Sequence, residues 1–145
     1  MDLQNRHVVV TGGSRGIGSA IGAAFAAAGA RVTLVARTET ELVAAAQRIE
    51  AGYLVADLLD LPAVDALVSN LEAIAPVDIL VNNAGLGTPG LLEGMSGDGL
   101  RELYVLNALV PAELARLTLP AMTARGQGRL VFLSSLSAQV ALDRE

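Results

Sequence analysis

The sequence predicts an α/β domain built as a doubly wound parallel sheet, with five strands in the order 3-2-1-4-5. Three features point to it. Short apolar runs alternate with stretches whose apolar residues recur at helical spacing. A glycine-rich turn joins the first apolar run to the first helical stretch. Thr11, Arg37, Asp57, Asn82 and Ser135 each come directly after a predicted strand, and ligands of such sheets bind outside the carboxyl ends of the strands.

Strand 1 is Val8-Val9-Val10, followed by a helix from Ile17 to Ala28 in which Ile17, Ala20, Ile21, Ala24, Phe25 and Ala28 are expected to face the sheet, with Gly29 as its stop. Strand 2 runs from Arg31 to Ala36. Thr38-Glu39-Thr40-Glu41 reads as a capping box, in which the threonine hydroxyl and the glutamate each satisfy a free N–H of the first turn. It opens a helix carrying Leu42, Ala45, Ala46 and Ile49, with Gly52 as the expected C-terminal residue. Strand 3 spans Tyr53 to Ala56. Asp60 caps a third helix with Pro62 in its first turn and Val64, Leu67, Val68 and Leu71 facing inward. Strand 4, Val77 to Val81, runs into a loop with glycines at 85, 87, 90, 94, 97 and 99 that is expected to be mobile. A long helix follows from about Asp98 to Ala124, interrupted by Pro111 and Pro120, and strand 5 is Arg129 to Leu133.

At 145 residues the chain is read as one domain, residues 1–145, with 52% hydrophobic and 17% charged residues, the composition of a packed globule. A formal charge of -5 without a Lys/Arg stripe argues against nucleic acid or an anionic membrane as partner. Cysteine is absent, which excludes thiol chemistry. No signal-type or membrane-spanning apolar run is present, so a soluble cytoplasmic protein is expected. No Cys/His/carboxylate cluster has metal-ligand spacing, and no metal is expected. His7, at the opposite end of strand 1 from the ligand side, reads as a core residue.

The chemistry concentrates in Thr11-Gly12-Gly13-Ser14-Arg15-Gly16-Ile17-Gly18. Glycines let the chain turn tightly and let a pyrophosphate approach the backbone, while the helix N-terminus offers free N–H groups to phosphate. An ATP-type phosphate loop is excluded, because it needs a lysine and the chain has none. Arg37, just past strand 2, stands where an acidic residue would hold the adenosine ribose hydroxyls. With Arg15 it can pair with a 2′-phosphate, which favours NADP(H) over NAD(H); the alternative is two solvated arginines.

This octet, together with Asn82-Asn83-Ala84-Gly85, resembles the short-chain dehydrogenase/reductase family, and with it a Rossmann-type fold. The resemblance implies a dinucleotide site formed by Gly12, Ser14, Arg15, Gly16, Ile17, Gly18 and Arg37, with Asp57 receiving the adenine amino group. Asn83, Ala84 and Gly85 would lie near the nicotinamide ribose, and Asn82 would stabilise the central sheet. It further implies two catalytic positions. Ser135 would hold the substrate oxygen. Asn107 would hold a relay water through its carbonyl, which loses its usual helical partner because Pro111 has no N–H. The family's acid, a Tyr-x-x-x-Lys pair, is not in this chain: its tyrosines are Tyr53 and Tyr104, and the expected tyrosine would fall just past Glu145. The chain is therefore expected to hold the family's domain up to a point before its C-terminal strands and to be inactive alone.

The function implied is an NADP(H)-dependent oxidoreductase acting on a small carbonyl or alcohol. A non-catalytic dinucleotide-binding half-domain or protein-interaction module is the alternative. A methyltransferase is weakened by the absence of an acid after strand 2. A homo-oligomer is expected on two grounds, an apolar strand 5 left as an edge and the family's use of the long helix as an interface.

Overall fold

A computed structural model describes residues 2–87 and 92–136. Its elements are β1 (His7–Thr11), α1 (Gly16–Ala27), β2 (Arg31–Ala36), α2 (Glu39–Arg48), β3 (Gly52–Val55), α3 (Leu61–Ile74) and β4 (Ile79–Asn82). A 3-10 turn at Leu92–Gly94 precedes α4 (Gly97–Tyr104), a π turn (Val105–Leu109), α5 (Val110–Ala124) and β5 (Arg129–Phe132). The five strands form one parallel sheet in the order β3-β2-β1-β4-β5, as the sequence predicts. Residues 88–91 of the glycine-rich loop, the segment on which its expected mobility falls, lie outside the described residues, as does Ser137.

The sheet is covered on both faces, and the strand period of two sorts its residues between them. Val9, Val35 and Leu80 meet Val64, Leu67, Val68 and Leu71 of α3 and Val110, Leu114 and Met122 of α5. Val8, Val10, Val32, Leu34, Ile79 and Val81 meet Leu42, Ala45 and Ala46 of α2 and, at its margin, Ile21 and Phe25 of α1. Each fully buried Val or Leu contributes about 1.5–3 kcal/mol. β5 is different. Val131, Phe132 and Leu133 are exposed, Phe132 by 54%.

Three local expectations are corrected. The face that α1 buries is not the full apolar stripe. Ile17, Ala20, Ala24 and Ala28 are exposed, and the buried residues are Gly18 and Gly22. The helix lies so close to β2 that a Cβ at Gly22 would stand 2.8 Å from Leu34 Cδ2, so glycines form the contact line. Gly52 does not end α2. The helix closes at Ile49, Glu50 takes the left-handed conformation (φ 53), and Gly52 begins β3. Nor does the capping box close, since Thr38 is the N-cap residue but its side chain makes no capping hydrogen bond.

The predicted long helix is divided by the π turn, where the Val110 N–H reaches back five residues to the Val105 carbonyl; Pro111 sits in the first turn of α5. At the other end of the sheet, His7 is buried and fully bonded. Nδ1 lies 2.9 Å from the Ala75 carbonyl, which can only accept, so Nδ1 carries the proton and Nε2 accepts from the Thr33 hydroxyl at 2.9 Å.

Burial lowers the His7 pKa from 6.5, outweighing the Ala75 hydrogen bond that raises it. The folded chain therefore refuses a proton that the unfolded chain accepts. The stability due to neutral His7 is complete above pH 6.5 and is lost as the pH falls below that value. Urea unfolding of the wild type should lose stability as the pH falls below 6.5, and His7→Gln should flatten that slope. An unchanged slope would assign the loss to carboxylates.

Candidate functional site

β1 ends at Thr11, a buried residue whose hydroxyl joins the two loops beyond the central strands. It donates to the Val81 carbonyl (3.3 Å) and accepts from the N–H groups of Asn83 (3.1 Å) and Ala84 (3.0 Å). The Asn83 side-chain amide returns the link, donating to the carbonyls of Thr11 (2.9 Å) and Gly12 (3.3 Å). The glycine loop and the Asn82-Asn83-Ala84-Gly85 loop thus form one body. Gly18 completes it. A Cβ there would overlap both the Gly12 carbonyl oxygen and the Asn83 amide, so only glycine lets α1 start against this junction.

A cleft of about 450 Å³ opens over this body at the carboxyl ends of the strands. Gly12, Ser14 and Arg15 form one wall, Ala36 and Arg37 follow β2, Asp57 follows β3, and Asn83, Ala84 and Gly85 line it from β4. A more open depression of about 770 Å³ adjoins it along β3 and α3 and shares Arg37, Ala56 and Asp57. Gly16, Ile17 and Gly18 start α1 beside the cleft but do not line it, and Ile17 is 67% exposed. Arg15 and Arg37 are exposed and form no ion pair among the described residues. The Asp57 carboxylate also has a local role, accepting the Leu59 N–H at 3.0 Å to set the turn. Its capping and cleft positions are compatible.

Asn107 lies in the middle of the π turn. Its side chain, rather than only its carbonyl, is engaged: Oδ1 accepts the Leu86 N–H (2.8 Å) and Nδ2 donates to the Leu86 carbonyl (2.7 Å). The helix therefore grips the backbone just beyond Gly85, where a Cβ would stand 3.0 Å from Asn107 Oδ1. Asn82 is buried, and among the described residues neither polar atom of its side chain has a hydrogen-bond partner. Ser135 is exposed, three residues past Phe132 at the end of β5, and is not among the residues lining the cleft.

Sequence reasoning did not anticipate the Thr11 hydroxyl as the junction, the Asn107–Leu86 clamp, or Glu41 in the cleft wall. Only Thr11 left a signal, a buried-type position ending a strand directly before a glycine turn. Among the described residues no helix is long and apolar enough to cross a membrane, and no group of three or more His, Cys, Asp or Glu side chains could hold a metal ion.

The family model for short chain dehydrogenases matches residues 6–144, nearly the whole chain and every element of this site. The chain belongs to that family. A short chain dehydrogenase of Pseudocercospora fijiensis is 40% identical over 144 residues, a match covering 94% of this chain and 47% of the relative. A 3-oxoacyl (acyl-carrier-protein) reductase from Agrobacterium tumefaciens, solved with NADP bound, is 37% identical with a TM-score of 0.88, covering 93% of this chain and 54% of that one. L-Sorbose reductase from Gluconobacter frateurii, complexed with NADPH and L-sorbose, is 32% identical with a TM-score of 0.93, covering 100% and 59%. The chain thus spans about half the length of these family members.

The junction gives a direct test. Thr11→Val should lower the unfolding free energy by about 1–3 kcal/mol, because two N–H groups lose their acceptor, whereas Thr11→Ser should recover most of the loss. Urea denaturation of both variants measures it; a valine variant as stable as wild type would show that the hydroxyl joins nothing of consequence.

Proposed function

We propose that this chain is the cofactor-binding part of an NADP(H)-dependent short-chain oxidoreductase that acts on a small carbonyl or alcohol. The observation that carries the reading is a pair of guanidiniums without an ion pair among the described residues, Arg15 and Arg37, on the same cleft that contains Asp57 and the Asn83-Ala84-Gly85 backbone. No carboxylate stands at the end of β2 to claim the ribose hydroxyls, since Ala36 and Arg37 occupy it. The NADP bound to the Agrobacterium tumefaciens reductase and the NADPH bound to L-sorbose reductase support the same choice.

The residues fit such a group on the chain's own geometry. The missing Cβ at Gly18 lets the helix N-terminus sit against the loop junction, where free N–H groups and Ser14 can face a pyrophosphate. Gly12, Gly16 and Ile17 frame that loop, Arg15 and Arg37 would hold the 2′-phosphate, and Asp57 would accept from the adenine amine. Asn83, Ala84 and Gly85 would border the nicotinamide ribose. Bound there, the dinucleotide supplies a hydride donor or acceptor. Ser135 would hold the substrate oxygen. Asn107 acts as a positioning residue, fixing the Gly85–Leu86 backbone through its side chain, and its carbonyl would hold the relay water.

The exposed Val131, Phe132 and Leu133 support association through the β5 edge, which makes a homo-oligomer part of this reading. Light scattering after rapid dilution should report a species larger than one chain; a stable monomer counts against it.

Replacing Arg37 with aspartate should abolish the preference for NADP(H), by about tenfold or more in the NADP/NAD affinity ratio, through lost attraction and added repulsion. Titration calorimetry with each dinucleotide reads this ratio. If the ratio is unchanged, Arg37 does not read the phosphate.

A further inference from the structure

Resting on the reading just given, we propose that Glu41 is a specificity-determining residue whose carboxylate restrains the preference for a 2′-phosphorylated dinucleotide. Glu41 is the third residue of α2, where a glutamate ordinarily turns back to the capping residue. Here Thr38 makes no side-chain cap, and the Glu41 carboxylate is directed across to the glycine loop, with Oε2 3.5 Å from the Ser14 hydroxyl that donates to it. Ser14, Arg15 and Glu41 line the 450 Å³ cleft and also a second depression, of about 570 Å³, on the α1–α2 side. Glu41 is therefore part of the ridge that carries Arg15.

The carboxylate shares this wall with two guanidiniums and pairs with neither among the described residues. A 2′-phosphate, with a charge of about −1.5 to −2 at neutral pH, would be drawn by Arg15 and Arg37 and opposed by Glu41. A ribose hydroxyl has no charge to oppose and can donate a hydrogen bond to a carboxylate. Glu41 thus penalises one dinucleotide and spares the other. Glu39, on the same helix and also exposed, does not line the cleft.

The test is the NADP+/NAD+ affinity ratio of the whole chain, measured by titration calorimetry at low and high salt for wild type, Glu41→Gln and Glu39→Gln. Glu41→Gln should raise the ratio by about three- to tenfold, chiefly through tighter NADP+, with the gain shrinking in salt and Glu39→Gln moving the ratio much less. Three results overturn the proposal: an unchanged ratio in Glu41→Gln, an equal rise in Glu39→Gln, which would make net charge the cause, or an equal loss of both dinucleotides, which would make Glu41 a support for the loop. If wild type binds neither dinucleotide, the proposed function fails and this inference with it.

Discussion

The hydroxyl of Thr11 is the constraint on which the rest of the site depends. Neighbouring parallel strands hold each other through their ladder, but the chain leaves the ladder beyond the last pair, and each loop could then wander independently. One buried hydroxyl prevents this by bonding the Val81 carbonyl near the end of β4 and two N–H groups of the loop after it. The cleft inherits its shape from that junction. Its walls come from four strand ends, yet the two that must approach closest, after β1 and β4, are held by the same side chain. Gly18 then lets a helix begin against the junction, and Asn107 fixes the outgoing backbone from the far side. The site is rigid at its floor and open at its charged rim.

Much of this was legible in the sequence, for a physical reason. A strand covered on both faces must be apolar in succession, so Val8-Val9-Val10 and Ile79-Leu80-Val81 announce central strands, and the intervening helical spacing forces crossovers and hence the strand order. Arg37, Asp57 and Asn83 could be placed on one cleft because the fold collects strand ends on one side. Where the reading failed, the deciding contact was invisible to local pattern. Hydrophobic spacing cannot reveal that α1 packs through Gly18 and Gly22, since glycine contributes closeness rather than apolar area. A capping box can be recognised, but not the serine some distance back in the chain that draws its glutamate away. Likewise the partner of Asn107 lies 21 residues earlier, and only the folded loop brings it near.

The charge pattern of the rim follows from the same geometry. Helix α2 begins only two residues after β2, so its start lies at the ligand side of the sheet, and Thr38 and Glu41 reach the cleft. Ser14, Arg15, Arg37 and Glu41 are brought together by this short connection, although they belong to two separate segments. Backbone junctions below them determine where a dinucleotide can lie. Side chains above determine which one.

The sheet is also unequal from centre to edge. In the centre β2 and β1 bury Val35, Leu34, Val9 and Val10 completely between helices, while at the two edges β3 leaves Tyr53 and Val55 exposed and β5 leaves Phe132 exposed. Exposed apolar surface returns little of the entropy of ordering its strand. Cohesion therefore declines from the central strands outward. Local opening is thus expected first at β3 and β5, and last in the β2-β1-β4 body whose loops share the Thr11 junction.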